Sequence, residues 1–68
     1  MKRYQFVIHN PKTEEAKMRN IERRNIDEAM VDARIYARSE WEHTGNQWFV
    51  VALYDMDYKF DLSRPTRG

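Results

Sequence analysis

The sequence predicts a two-layer α+β domain, in which one helix covers one face of a four-stranded antiparallel sheet. Three observations support this fold class. Residues 48–54, WFVVALY, are uncharged and rich in β-branched and aromatic side chains, which is typical of a buried strand. Residues 26–43 repeat apolar side chains at the spacing of one helix face. Strand-like patterns flank these two segments, which gives the element order ββαββ.

Composition narrows the class of protein. The 68 residues are enough for one domain, predicted over residues 1–62, with a flexible tail at residues 63–68. There is no Cys, so disulfides and thiolate metal sites are excluded. The formal net charge is +1, whereas a nucleic-acid-binding protein usually shows a clear excess of Lys and Arg. No apolar run approaches the roughly 18 residues that span a bilayer, so we expect a cytoplasmic protein without a membrane partner.

The first strand is predicted at residues 3–9, RYQFVIH, where apolar side chains alternate. Its two faces would carry, respectively, Tyr4, Phe6 and Ile8, and Gln5, Val7 and His9. Asn10-Pro11 should end the strand, because Pro cannot donate to a sheet and Asn-Pro is a turn signal.

Residues 14–24, EEAKMRNIERR, allow two interpretations: a second strand at about 15–23, or the first turns of a longer helix. The strand is favoured because Met18 and Ile21 are out of phase with the apolar stripe that follows. Asn25 also has the character of an N-cap, with Glu28 three residues later. We therefore expect an irregular edge strand whose charges protect it from aggregation.

The helix is predicted from Ile26 to about His43, and Gly45 is predicted to end it. Its apolar face consists of residues at helical spacing, namely Ile26, Ala29, Met30, Ala33, Ala37 and Trp41. The small alanine side chains should let the helix lie close to a sheet that carries bulky residues.

The third strand is followed by a turn at Asp55-Met56 and by a fourth strand at residues 57–62, DYKFDL. Short antiparallel hairpins then give the sheet order 2-1-3-4, with the more charged strands at the edges. The length of the last turn decides which residues face the helix. An even length places Phe49, Val51 and Leu53 there, and an odd length reverses the two faces.

With the even turn, the sheet face that the helix leaves uncovered carries Val7, Trp48, Val50, Ala52 and Tyr54. An apolar patch centred on Trp and Tyr is typical of the core of a protein interface. Partial cover of this face by the tail is the alternative interpretation.

A second candidate surface is the basic stripe of the edge strand: Lys17, Arg19, Arg23 and Arg24. Its structural interpretation is protection of the edge. Its functional interpretation is contact with phosphates or with an acidic protein surface.

The residues that could carry chemistry predict no catalytic, cofactor or metal site. Ser39 and Ser63 lack the Gly-flanked turn of a nucleophile elbow. Asp55, Asp57 and Asp61 lack the Gly and the terminal Glu of a calcium-binding loop. Two glycines are too few for a Gly-rich phosphate loop.

A strand hairpin precedes NIDEAMVDARIYARSEW, and an aliphatic strand follows. In this arrangement, residues 15–54 resemble a group of small phage-encoded host-takeover proteins. The run Ile26-Asp27-Glu28-Ala29-Met30 is similar to the helix start of the small RNA polymerase inhibitor of short-tailed lytic coliphages. Comparable runs occur in small antitoxins and anti-CRISPR proteins. The resemblance implies a compact sheet with one helix that binds the polymerase through charged residues, a role it would give here to Arg19, Arg23 and Arg24.

We therefore expect a non-enzymatic protein-binding module, such as a phage inhibitor that occludes a surface of a host enzyme or of a defence complex in the host cytoplasm. The partner would be a host protein rather than nucleic acid. The predicted partner-binding residues are Val7, Trp48, Val50, Tyr54, Arg19, Arg23 and Arg24. A small nucleic-acid-binding regulator and a homodimeric structural module are the alternatives.

Overall fold

The structure is a computed structural model, and it describes residues 1–57. Three strands and one helix follow in the order β1 Lys2–Asn10, β2 Glu15–Arg23, α1 Ile26–Thr44 and β3 Phe49–Asp55. The strands form one antiparallel sheet of order β2-β1-β3, with α1 packed on one face. The predicted α+β class and the order of these three strands are confirmed. The fourth strand and the tail lie outside the described residues.

The β1–β2 hairpin is regular along its whole length. Nine residue pairs run from Lys2 opposite Arg23 to Asn10 opposite Glu15 without a shift in register. In the connecting turn, the backbone N–H of Lys12 donates to the Asn10 side chain over 2.9 Å. The preference for a strand over a helix at residues 15–23 is therefore confirmed, but the strand is not irregular.

The predicted capping residues, Asn25 and Gly45, cap the two ends of α1. The Asn25 side chain accepts a hydrogen bond from the backbone N–H of Glu28 at 3.0 Å. The Glu28 carboxylate accepts one in return from the backbone N–H of Arg24 at 3.2 Å, a variant of the capping box. Gly45 has a φ of 81°, and its N–H donates to the Trp41 carbonyl at 2.8 Å. Only glycine adopts this left-handed conformation without a steric cost, which explains why the helix ends here.

The core lies between α1 and the centre of the sheet. Its buried apolar members are Tyr4, Phe6, Ile8, Ala29, Ala33, Ala37 and Trp48. Phe6 meets the ring of Tyr36 edge-on, with centroids 5.6 Å apart. The large buried side chains come from the strands and the small ones from the helix, as the alanine pattern predicts. Ile26 and Trp41, at the two ends of the predicted stripe, are 50% and 41% exposed and lie outside the buried set.

A β-bulge interrupts the pairing of β1 with β3. Ala52 lies opposite Val7, but Val50 lies opposite Ile8, so Val51 is an extra residue on β3. A bulge of this kind shifts the two-residue alternation of a strand by one position. Before Val51 the even-numbered side chains of β3 face the helix, and after Val51 the odd-numbered ones do.

The bulge overturns the predicted facing of the first half of β3. Val50 packs against the core, and Trp48 is only 3% exposed, with its indole N–H donating to the Thr44 hydroxyl at 3.0 Å. Phe49 and Val51 are instead 45% and 57% exposed. The placement of Trp48 and Val50 on the uncovered face was therefore wrong. After the bulge the prediction is correct, because Leu53 packs against the core.

We expect Trp48→Ala to destabilise the domain far more than Phe49→Ala. Truncation of a buried Trp costs about 3–5 kcal/mol, which approaches the whole free energy of unfolding of a small domain. Phe49→Ala removes a half-exposed side chain and should cost about 1 kcal/mol or less. Urea unfolding monitored by circular dichroism measures both values. A larger loss for Phe49→Ala would show that the bulge is misplaced.

Candidate functional site

The candidate site is the face of the sheet opposite α1, here called the open face. Residues directly opposite each other in antiparallel strands point to the same side, so the pairing identifies its members. They are Arg3, Gln5, Val7 and His9 of β1, Ala16, Met18, Asn20 and Glu22 of β2, and Phe49, Ala52 and Tyr54 of β3, with Val51 in the bulge. No helix formed by residues 1–57 covers this face.

Large apolar side chains project from the open face. Met18 is 65% exposed and Tyr54 is 54% exposed, and they join the two exposed residues of the bulge region, Phe49 and Val51. Val7, on the central strand, lies between Met18 and Ala52 in the register. An exposed patch with two aromatic rings around an aliphatic centre has the composition of an interface core.

The structure brings together only part of the predicted open-face set. Val7 and Tyr54 lie on the open face as diagonal neighbours on adjacent strands, whereas Trp48 and Val50 lie on the opposite side. Sequence reasoning missed Met18, and it placed Phe49 and Val51 on the open face only in the alternative with an odd last turn. The four-residue turn of the first hairpin would have identified Met18, because it places that residue opposite Val7.

The basic stripe of β2 points to the side of the sheet that carries α1. Lys17 Nζ lies 3.0 Å from Glu40 Oε1 and 5.5 Å from the centroid of the Trp48 ring. The Arg23 guanidinium forms an ion pair with Asp32. Hydrogen bonding to Glu40 raises the pKa of Lys17 above its usual value. These cations therefore attach α1 to the edge strand.

The remaining two arginines also have partners within the chain. The Arg19 guanidinium lies over the Tyr36 ring at 4.5 Å from its centroid, a cation–π contact. Arg24 lies 3.9 Å from Glu28, one helical turn away. Lys17, Arg23 and Arg24 are therefore paired with acids of α1, whereas Arg19 keeps its charge over an aromatic ring. Arg19 and Arg23 lie on the opposite side of the sheet from the open face.

Two side chains of β1 on the open-face side lie beside acidic groups. Arg3 Nη2 lies 2.7 Å from Asp57 Oδ1, and the Arg3 backbone N–H donates to Asp57 Oδ2 at 3.0 Å. These hydrogen bonds from Arg3 lower the pKa of the Asp57 carboxyl below its usual value. His9 Nε2 lies 3.5 Å from Glu14 Oε1. Arg3, the one Lys or Arg among the described members of the open face, is therefore paired with an acid.

Within residues 1–57, the structure contains no group of three His, Asp or Glu side chains arranged to hold a metal ion. No helix in the same range combines the length and apolarity needed to cross a membrane.

Comparisons of the chain with models of known protein families, with curated proteins and with solved structures find no match.

We expect acidification to weaken the Arg3–Asp57 contact. A carboxyl with a lowered folded-state pKa contributes stability above its unfolded value of 3.8 and loses that contribution as the pH falls through the folded-state pKa. Urea unfolding between neutral pH and pH about 2 should therefore show a steeper acid loss for the wild type than for Asp57→Asn. The Asp57 carboxyl followed by NMR should titrate below 3.8. Equal acid slopes for the two proteins would contradict the pairing.

Proposed function

We propose that this chain is a non-enzymatic protein-binding domain, and that its open face is the contact surface. The observation that carries the proposal is the exposure of Met18, Phe49, Val51 and Tyr54 on one side of the sheet. Burial of such side chains against an apolar partner surface is favourable, because it removes apolar area from water. Aromatic side chains are also frequent hot spots of binding.

Charge favours a protein partner over nucleic acid. Binding to a phosphate backbone requires Lys and Arg side chains that release counterions. Lys17 and Arg23 are paired with acids of α1, and Arg3 is paired with Asp57. Phe49 and Tyr54 resemble a base-stacking platform, but the positively charged groove that accompanies such platforms has no counterpart beside them among residues 1–57.

The proposal includes no catalytic step. The open face contains one imidazole, His9, and its described members include no Ser, Thr, Cys or Lys that an imidazole could activate as a nucleophile. Binding and occlusion of a partner surface require no such group.

The class of partner follows from the sequence resemblance alone. We propose a host enzyme such as bacterial RNA polymerase, or a defence complex, met in the cytoplasm of an infected cell. Since Arg19, Arg23 and Arg24 have partners within the chain, the open face replaces the arginine stripe as the proposed contact.

We expect Tyr54→Ala and Phe49→Ala to weaken partner binding while the fold persists. Loss of a central aromatic anchor costs about 2 kcal/mol or more, which is roughly a thirtyfold weaker affinity. Affinity capture from bacterial lysate would identify retained proteins, and calorimetry with the purified partner would measure the change.

Ile35→Ala is the matched control, because Ile35 is an exposed apolar residue on α1, away from the open face. A partner that is lost with Ile35→Ala but kept with Tyr54→Ala would place the interface on the helix and contradict the proposal.

Nucleic-acid binding provides a separate test of the protein-partner assignment. Electrophoretic shift assays at low salt with single-stranded and duplex DNA and RNA should show no tight complex. A complex of micromolar or better affinity that weakens steeply with salt, and that is lost with Tyr54→Ala, would reassign the open face to base stacking.

A further inference from the structure

The outer edge of β2 has the features of a pairing site for another strand. Among residues 1–57, β2 has β1 as its one neighbour in the sheet. It is nine residues long, contains no Pro and has no bulge against β1. A long, regular edge strand is a template for pairing unless a bulge, a Pro or projecting charges block it.

The backbone groups that face outward can be identified from Arg3. Its N–H donates to Asp57 and its carbonyl accepts from Met56, so both groups point towards β3. Arg3 and Glu22 are therefore a pair without mutual hydrogen bonds, and the backbone groups of Glu22 point away from β1. By alternation, the same holds for the other even-numbered positions of β2: Ala16, Met18 and Asn20.

The cations that would normally protect such an edge are drawn away from it. Lys17 and Arg23 reach back to Glu40 and Asp32 of α1, and Arg19 lies over Tyr36. The positions whose backbone groups face outward are Ala16, Met18, Asn20 and Glu22. Three of these four residues have uncharged side chains.

We infer that β2 pairs antiparallel with β2 of a second copy of this chain, across a two-fold axis centred at Arg19. In this register Met18 lies opposite Asn20 of the second copy. Glu15 lies opposite its Arg23, a partly exposed cation that keeps Asp32 as a partner, which gives two pairs of opposite charge per dimer. A two-fold axis at residue 18 would place Lys17 opposite Arg19 of the second copy, and an axis at residue 20 would place it opposite Arg23. Both alternatives bring like charges together, which is unfavourable. The Arg19 side chains are kept apart because each guanidinium is stacked on its own Tyr36.

This pairing doubles the open face. In this register odd-numbered residues lie opposite odd-numbered ones, so the helix-bearing faces of the two copies lie on the same side. The described part of the joined sheet then has six strands. Two strands of nine residues and one of seven present about 400 Å² from strand spacing and rise, roughly half of the 800 Å² per partner of a standard interface. The dimer presents about 800 Å². Self-pairing does not depend on the proposed function of the open face.

Proline substitution tests the edge directly. Met18→Pro removes an outward N–H and leaves the bonds to β1 in place, so it should weaken the dimer by at least about tenfold in sedimentation velocity. Met18→Ala, which keeps the N–H, should dimerise like the wild type, as should Tyr54→Ala. A wild type that is monomeric at every concentration, or a Met18→Ala as defective as Met18→Pro, would overturn the inference.

Two further measurements apply even if Met18→Pro fails to fold. Amide exchange of Ala16, Met18, Asn20 and Glu22 in the wild type should slow as protein concentration rises, because these N–H groups become bonded in the dimer. Glu15→Lys should weaken the dimer, whereas Glu14→Lys, an equal charge change just outside the strand, should not. Exchange rates that are independent of concentration, or equal effects of the two Lys substitutions, would overturn the register.

Discussion

The close approach of α1 to β1 is the constraint on which the rest of the structure depends. Ala29, Ala33 and Ala37 present almost no side-chain volume, so the helix backbone lies near the sheet and the bulky residues of β1 fill the space between the layers. A larger residue at Ala33, which is fully buried, would separate the layers and expose Phe6 and Ile8. In a chain without disulfides, this packing and Trp48 form the only buried apolar cluster among the described residues.

The helix is held differently on its two flanks. Towards β3, Val50 and Leu53 pack against the core through apolar contact. Towards β2, Ile21 is joined by the cations Lys17 and Arg23, whose aliphatic stems extend to acids on the helix. Because the ion pairs are partly exposed, each contributes little to stability by itself. These contacts direct the positive charge of β2 towards α1 and away from the open face and from the outer edge of β2.

Local signals predicted most of the fold. The Asn25 cap, Gly45 and the alanine stripe determine the helix with backbone and packing rules that act within a few residues. Alternation in residues 3–9 likewise determined which side of β1 is buried. The facing of β3 was mispredicted in its first half because the bulge arises from pairing with a strand more than 40 residues away, and no glycine marks it. The partners of the arginines were also missed, since an ion pair between a strand and a helix depends on tertiary geometry.

The bulge at Val51 also makes the surface of this domain sensitive to changes in chain length. Strict alternation would be restored by deleting one residue there, and every side chain between residues 48 and 50 would then exchange faces. Phe49 would enter the core, and Trp48 and Val50 would come to the surface. A one-residue deletion there would thus replace one exposed apolar set by another. At this position a change in chain length alters the exposed surface over three residues at once, whereas a substitution alters one side chain.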